Sequence, residues 1–488
     1  MSAPTRPSTR PAGALRTIAA VVAALIVSAG CSSAESDDAS PDAISTTSVA
    51  SDETDSATTT LPDGTASTTT ASPGDTASPP PPPAPETVVL ERLPVPPVPV
   101  DGSCDLAANP QGCVTRITQV GGFLDAATIT ANVAFDGAPG SLFVGTQVIA
   151  IRTDGSTFDN GTPWKCLTCG LPAENLNGLS ASVGASDLEP FNDGRRILAG
   201  QAILECAAPF TSVECTPENT FLYPIRWNTT PDGRGPSGSM RELRMHPDDV
   251  HLGWSSLTRG TKLDQFMYYG RLEFNPAPAA GEPAVPRYDL ESVNLMYDLE
   301  RAGPVWTDPD DPAVLVVDSP AQEVGEFRRW SKDGEWLGTV GFPSQSSWID
   351  MYRINIETGE VRQLTLHPEY TDPMDFSFDG EWQVVLDTRT GGGGNDNADR
   401  QRFMSAVPGI PPLTDLVTSS FVASVRNEGQ RRFFQPILLD IHGDRGDYEG
   451  QPLKQDSCPD GPQPGNLCDQ EWSARADPHW SPDSTSIV

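Results

Sequence analysis

Two stretches of the chain read almost alike: Phe327-Arg328-Arg329-Trp330-Ser331-Lys332-Asp333-Gly334-Glu335-Trp336-Leu337 and Met374-Asp375-Phe376-Ser377-Phe378-Asp379-Gly380-Glu381-Trp382-Gln383-Val384. Each runs from an aromatic residue through Ser and an Asp-Gly pair to Trp, and the two Asp-Gly pairs stand 46 residues apart. An Asp-Gly pair suits a tight turn, because Gly accepts positive φ and Asp bonds nearby backbone amides. Each copy therefore predicts two paired strands joined by a tight turn.

The residues after the first copy complete a four-stranded unit. Residues 348–356 alternate between apolar and polar side chains, residues 357–360 read as a turn, and residues 361–365 alternate again. Four short strands that recur every 40 to 50 residues are typical of a β-propeller blade. The aromatic residues of the repeated phrase are expected to pack between neighbouring blades.

Fainter copies of the phrase occur elsewhere, at 191–198, 245–249 and 479–483, and residues 147–155 read as the second half of a blade. Together these residues resemble the WD40-like repeat of TolB-type propellers, whose turn reads roughly Phe-Ser-Pro-Asp-Gly-x-Trp. The resemblance covers the chain from about Val114 onward. It implies an all-β fold of four-stranded blades, six by preference and seven as the alternative, but no particular function, since such propellers serve many roles.

The last phrase, residues 479–488, begins a blade and stops in mid-strand. Because a ring must join its ends, these residues either complete the first blade or belong to a chain that continues. A long insertion, from 391 to about 426, separates the second clear copy from the strand-like residues 433–441.

The N-terminus has the layout of an export signal, residues 1–31. Arg6, Arg10 and Arg16 precede an apolar stretch that is too short to span a membrane, and Ser28-Ala29-Gly30-Cys31 follows. Small residues before a Cys resemble a bacterial lipobox, which implies lipidation of Cys31. The alternative is an ordinary signal peptide with a chance Cys. The resemblance predicts an exported lipoprotein that is anchored in the cell membrane and faces outward.

A tether is predicted between the anchor and the folded part. Residues 32–85 consist mainly of Ser, Thr, Asp, Ala and Pro, so they cannot form a core, and the Pro run at 79–83 favours extended geometry. Residues 86–488 are then the propeller domain. The formal net charge of −34 excludes nucleic acid as a partner, and it fits an exported protein or one that meets cations or basic partners.

Nine cysteines are present, and eight remain when Cys31 is set aside. An even number in an exported chain implies disulfides, and the close spacing favours four local bridges: Cys104 with Cys113, Cys166 with Cys169, Cys206 with Cys215, and Cys458 with Cys468. The spacing of Cys166 and Cys169 also fits a redox or metal motif, but no second such pair completes a zinc site.

The innermost strand of each propeller blade lines a central channel. The residue before the aromatic of the phrase points away from that aromatic, which places Arg329, Asp375 and His479 at matching positions, with Arg244 a looser match. A charged ring at a channel mouth predicts a small-ligand or metal site. The alternative is a set of solvated charges around a water-filled channel.

Two loops carry oxygen ligands of the kind that calcium prefers. The first offers Asn395, Asn397 and Asp399, although Arg400 stands where a calcium loop needs Gly. The second is a carboxylate-rich segment that contains Asp440, Asp444 and Asp447. A surface loop and a charged hairpin turn are the respective alternatives, and calcium is the only cofactor that the sequence suggests.

No metalloprotease, hydrolase-elbow, phosphate-loop or dinucleotide motif occurs in the sequence. We therefore expect a cell-envelope lipoprotein whose propeller binds another envelope protein or an extracellular small ligand. The first alternative is a propeller hydrolase or lyase that acts on extracellular sugar or peptide, with carboxylates and His442 or His479 as acid and base. The second is the sensor or spacer part of a longer chain.

Overall fold

The structure is a computed structural model. It describes residues 80–98, 104–136, 141–180, 188–259, 262–296, 305–307, 311, 315–317, 326–341, 350–366, 371–387, 435–453 and 477–488. The chain divides into two units, 1–81 and 82–488, and all the strands of the described residues belong to the second. Within the part of the chain that the structure describes, no helix is long and apolar enough to cross a membrane.

The second unit is built from blades of four antiparallel strands, and consecutive strands of a blade are neighbours. Blade 1 comprises β1 Val114–Asp125, β2 Thr128–Asp136, β3 Val144–Arg152 and β4 Trp164–Cys166. Blade 2 comprises β5 Leu188–Pro190, β6 Arg196–Ala199, β7 Ala202–Cys206 and β8 Thr220–Trp227. Two short 3-10 helices, Ala173–Leu176 and Pro217–Asn219, lie in the connections after β4 and β7.

The next three blades follow the same order. Blade 3 comprises β9 Arg241–Met245, β10 His251–Arg259, β11 Lys262–Asn275 and β12 Arg287–Leu295, and it is followed by a two-stranded sheet of β13 Val305–Thr307 and β14 Leu315–Val317. Blade 4 comprises β15 Glu326–Trp330, β16 Trp336–Gly341, β17 Asp350–Asn355 and β18 Val361–Gln363. Blade 5 comprises β19 Thr371–Phe376, β20 Trp382–Asp387, β21 Gln435–Asp440 and β22 Gln451–Pro452.

A hairpin of residues 477–488 occupies the sixth position. Its halves pair through Trp480 and Ile487, and its Trp480 packs with Val384 and Leu438 of blade 5. Its last residue, Val488, packs in the core of blade 1. The hairpin therefore joins the last blade to the first, and the fold is the all-β propeller that the repeat predicts.

One turn geometry recurs between the first two strands of five successive positions. In each copy an Asp oxygen accepts the backbone N–H two residues later, as Asp333 does from Glu335 and Asp379 does from Glu381. The residue after that Asp has a positive φ in every copy: Gly194 (65°), Asp249 (59°), Gly334 (77°), Gly380 (74°) and Ser484 (59°). The Asp-Gly pairs that mark the repeat are thus explained by a left-handed backbone position.

Aromatic residues of the repeated phrase fill the gaps between blades, as expected. Trp330 is 2% exposed and lies between blades 3 and 4, with its ring centroid 5.7 Å from that of Tyr269 and 4.8 Å from that of His246. Phe376 is also buried and packs with Met351 of the preceding blade. These contacts bury large apolar surfaces and hold each blade to the next.

Blades 2 and 3 are joined in a way that the sequence did not predict. Their outermost strands, β8 and β12, pair in parallel through Tyr288 with Ile225 and Leu290 with Trp227. The two blades consequently share one eight-stranded sheet. At this junction Arg287 is buried and bonds Asp289 at 2.7 Å as well as backbone carbonyls of the preceding loop.

Three of the four expected disulfides are present: Cys104–Cys113, Cys166–Cys169 and Cys206–Cys215. Cys458 and Cys468 lie outside the described residues, as does Cys31. The bridge between Cys166 and Cys169 closes a turn at the outer edge of blade 1, next to the half-buried Lys165.

Candidate functional site

Charged residues from different blades meet at the centre of the propeller. Arg244 (β9), Arg329 (β15), Asp375 (β19) and His479 (hairpin), all singled out from the sequence, lie there together. Their exposed fractions are 0%, 6%, 0% and 4%, so none of them is a solvated group around a water-filled channel, and the three charged side chains, Arg244, Arg329 and Asp375, form buried ion pairs. Arg329 Nε is 3.4 Å from Asp375 Oδ1, and Asp375 Oδ2 accepts the backbone N–H of Trp480.

A fifth member, Glu189 of β5, was not identified from the sequence. Its carboxylate pairs with Arg329 and lies 3.8 Å from Arg244, and it accepts the backbone N–H of Met245 at 2.7 Å. All five residues stand four positions before the Asp of their own turn. Counting back from Asp193, in the fainter copy at 191–198, would have identified Glu189.

Two of these ion pairs join blades that are not sequential neighbours. Glu189 belongs to blade 2 and Arg329 to blade 4, while Arg244 of blade 3 bonds Asp477 of the hairpin at 2.5 Å. Contacts between blades that are not sequential neighbours are reached only near the axis. We call Glu189, Arg244, Arg329, Asp375, Asp477 and His479 the axial cluster.

A second tier of ion pairs adjoins the axial cluster. Arg328 contacts Asp372 at 2.5 Å and Glu326 at 2.9 Å, and Arg241 contacts Glu326 at 2.8 Å. Glu242 has a left-handed φ of 51°, which costs a non-glycine residue energy, and Arg244 holds its carboxylate at 2.9 Å. The neighbouring blades are thus joined by alternating charges.

The electrostatic environment keeps His479 neutral. Burial and then the nearby Arg329, Lys332 and Arg244 hold the pKa of His479 well below its usual range. For Glu242, burial acts to raise the pKa, but Arg328, Arg244 and Arg241 lower it to about 2. The carboxylates and guanidinium groups of the axis compensate one another, an arrangement that holds the inner strands in place.

The recurring turns form a continuous band along one end of the strands. We define the turn band as residues 191–196, 246–251, 331–336, 377–382 and 481–486. Successive turns contact one another: Asn192 bonds Asp249, His246 Nε2 lies 3.2 Å from the Gly334 carbonyl, Lys332 lies over the Phe378 ring, and the Asp379 N–H donates to Ser484 Oγ. The band is therefore one surface and not five separate loops.

The turn band is strongly acidic. It contains eight Asp and Glu residues and three Arg and Lys residues. Seven of the acidic side chains are exposed: Asp193, Asp248, Asp333, Glu335, Asp379, Glu381 and Asp483. The Phe378 ring is 45% exposed among them.

One turn brings two imidazoles to a carboxylate. His246 Nδ1 lies 3.1 Å from Asp248 Oδ1, and His251 Nδ1 lies 2.6 Å from Asp248 Oδ2. Neither His was identified as a site residue from the sequence. The spacing of His two residues before and three residues after the turn Asp is the signal that could have found the cluster.

The carboxylates of the second predicted calcium loop do not converge. Asp440 binds Arg445 through both oxygens, Asp444 accepts the Leu366 N–H, and Asp447 is exposed. This geometry is that of a charged hairpin turn, in which Arg445 occupies the Asp440 carboxylate, and calcium binding by this loop stays a prediction. Asn395, Asn397 and Asp399 lie outside the described residues.

Comparisons with known proteins find solved structures that are similar to this chain, but only at low sequence identity. No family model matches the chain, and no curated protein matches it. TolB from Acinetobacter baumannii has a TM-score of 0.33 at 13% identity, over 74% of this chain and 57% of that one. An oligogalacturonate lyase in complex with manganese also gives 0.33, at 12% identity, over 77% and 85% of the two chains.

The propeller domain of a trilobed protease from Pyrococcus furiosus gives a TM-score of 0.25 at 9% identity, over 71% of this chain and all of that one. This chain spans little more than half the length of the TolB structures that it matches. The solved structures that it is similar to are thus TolB and other propeller proteins, and the fold itself rests on the strand order described above.

Proposed function

We propose that this protein is a binding module that recognises a basic partner protein through the turn band. The observation that carries the proposal is the concentration of seven exposed carboxylates on one continuous surface. Carboxylates in such an array attract a positively charged surface, speed its approach and orient it. The exposed Phe378 ring adds an apolar contact within the same surface.

The Asp carboxylates of the repeated turns are held in fixed positions. Ser331 Oγ donates to Asp333 Oδ1, and Ser377 Oγ donates to Asp379 Oδ1, both at 2.5 Å. In the hairpin, hydrogen bonds from Ser481 and Thr485 lower the pKa of Asp483. Ordering these side chains in the free protein reduces the entropy that a complex would have to lose.

The axial cluster contributes to this function by holding the band together. Lys332 lies in the band, and its ammonium group binds Asp375 Oδ1 of the cluster at 2.8 Å. His246 of the band follows Arg244 of the cluster by two residues on the same strand and turn. Because the axial charges are paired with one another, recognition of a partner falls to the turn band.

The test compares two pairs of neutralised carboxylates. D379N/E381Q changes the turn band, whereas D136N/D232N changes exposed residues at the opposite ends of the strands. The probe is a fluorescent lysine decapeptide, titrated at several salt concentrations. We expect D379N/E381Q to weaken binding roughly two- to fivefold, with a shallower salt dependence. Equal losses in the two variants would mean that only the net charge matters, and would refute the assignment.

We further propose that Cys31 carries the lipid anchor and that residues 32–85 space the propeller from the membrane. The support is the small-residue sequence before Cys31 and the scarcity of large apolar residues in the stretch after it. Growth with an alkyne-labelled fatty acid should label the wild-type protein in the membrane fraction. The C31S variant should be unlabelled, and labelling that persists in C31S would disprove this attachment site.

A further inference from the structure

The turn of blade 3 departs at two positions from the turns of blades 4 and 5 and of the hairpin. Two residues before the turn Asp, those copies have Ser331, Ser377 and Ser481, whose hydroxyl groups donate to that Asp. In blade 3 this position is His246. Three residues after the Asp, those copies have Trp336, Trp382 and Ser486, whereas blade 3 has His251.

The backbone of blade 4 fixes the hydrogen on His246. Its Nε2 lies 3.2 Å from the Gly334 carbonyl, which can only accept, so Nε2 carries a hydrogen, and in the neutral imidazole the lone pair is then on Nδ1. The Asp248 N–H, 3.2 Å from Nδ1, is consistent with that tautomer. A metal-bound imidazole usually donates its other ring N–H to an acceptor, and this hydrogen bond orients the nitrogen that binds the metal. The ring is held from the side by Trp330, with centroids 4.8 Å apart.

This lone pair also faces another acceptor. His246 Nδ1 lies 3.1 Å from Asp248 Oδ1, and two acceptors at that distance repel unless a proton or a metal ion lies between them. The Asp248 carboxylate is itself fixed, because Oδ1 accepts the N–H groups of Val250 and His251 at 2.9 Å. His251 approaches the other carboxylate oxygen, and its ring stacks on Tyr269.

We propose that His246, Asp248 and His251 form a site for a divalent transition metal of the Zn²⁺ type. Two imidazole nitrogens and one carboxylate oxygen are ligands that Zn²⁺ takes, with a fourth position left for water or for a group of a partner. Metal–ligand bonds of about 2.0–2.2 Å place tetrahedral ligand atoms about 3.3 Å apart. The three ligand atoms lie within 4.8 Å of one another, so closing the site needs small side-chain movements.

Among the described residues this is the one group of three or more His, Cys, Asp or Glu side chains with such a spacing. Both imidazoles are half-buried and the carboxylate is exposed, so a metal ion has direct access from solvent. Because His246 also bonds the Gly334 carbonyl, a metal ion bound in blade 3 would be linked to the turn of blade 4 through that hydrogen bond.

The experiment titrates Zn²⁺ into the purified protein by calorimetry, after removal of metal with EDTA and alkylation of free thiols. The variants are H246Q and H251Q, and H442Q is the matched control, because His442 is exposed and lies far along the chain in another blade. We expect one Zn²⁺ per chain, at least tenfold weaker binding in H246Q and H251Q, and no change in H442Q.

Co²⁺ provides a second readout, because its visible absorption reports ligand geometry. We expect a tetrahedral spectrum in the wild type and in H442Q, and the hexa-aqua spectrum in H246Q and H251Q. Circular dichroism checks that each variant is folded. The proposal is overturned if the wild type shows no binding at a Zn²⁺ concentration of about 100 µM, a concentration at which even a weak site would be partly filled. It is also overturned if both His variants bind Zn²⁺ as tightly as the wild type.

Discussion

Replacing Gly334 by Ala tests whether the contact between the turns of blades 3 and 4 is as close as described. Gly334 and Gly380 occupy the same place in successive turns, with φ values of 77° and 74°. A methyl group at Gly334 would lie 2.4 Å from Nε2 of His246, whereas one at Gly380 would meet nothing within 4 Å. Comparing Gly334→Ala with Gly380→Ala therefore separates the cost of backbone strain, which both variants have, from the cost of disturbing the contact between blades.

Both variants lose stability through backbone strain, and Gly334→Ala also loses stability through a clash with His246. Placing Ala in the left-handed region costs about 1–2 kcal/mol, less about 0.4–1 kcal/mol gained by restricting the unfolded chain. At position 334 the His246 ring must also move by about 1 Å to reach normal contact distance. It then loses its hydrogen bond to the Gly334 carbonyl, worth about 1 kcal/mol, and part of its contact with Trp330, worth about 0.5–1.5 kcal/mol.

We therefore expect Gly334→Ala to lower the free energy of unfolding by about 1–3 kcal/mol more than Gly380→Ala does. Urea denaturation measures this difference as a shift of the midpoint at an unchanged slope. In the H246A background the difference between the two Gly variants should shrink, because the ring that clashes is gone. Equal effects of the two substitutions in the wild-type background would refute the contact.

Three further predictions concern the axis, pH and a disulfide. Arg329→Met removes the guanidinium group that Glu189 and Asp375 share and leaves them only Arg244 and Lys332, so it should cost up to about 3–5 kcal/mol in urea denaturation; a loss under about 1 kcal/mol would contradict the paired axis. The depressed pKa of His479 means that only the unfolded chain gains a proton below pH 6.5. Stability should therefore fall as the pH drops below 6.5, by up to about 1.4 kcal/mol per pH unit, and His479→Asn should remove that slope. The variant C206S/C215S opens a short loop, and calorimetric melting should show a loss of about 2–3 kcal/mol.

Local features of the propeller were predictable because they depend on residues close in sequence. The Asp-Gly pairs required a left-handed backbone position, and the structure places Gly334 and Gly380 there. The same phrase located Arg329, Asp375 and His479 on inner strands, because its fixed spacing sets which way each side chain points. Even the faint copy at 191–198 forms the expected turn.

Contacts between distant segments were not predictable. The phrase indicates that Arg329 points inward, but its partner Glu189 lies 140 positions away, and only the ring geometry brings them together. The same holds for Arg244 with Asp477. The pairing of β8 with β12 depends on how the outer edges of two blades meet, and no local pattern encodes that. The sequence also could not show that the axial charges are buried in ion pairs.

Hydrogen–deuterium exchange with and without the lysine decapeptide shows directly whether a basic partner binds at the turn band. We expect bound peptide to slow exchange in the turn band, above all at residues 331–336 and 377–382, where four carboxylates and Phe378 are concentrated. Segments around Asp136 and Asp232, at the opposite ends of the strands, should be unaffected. Protection at those opposite ends, or protection spread evenly over the domain, would contradict recognition through the turn band.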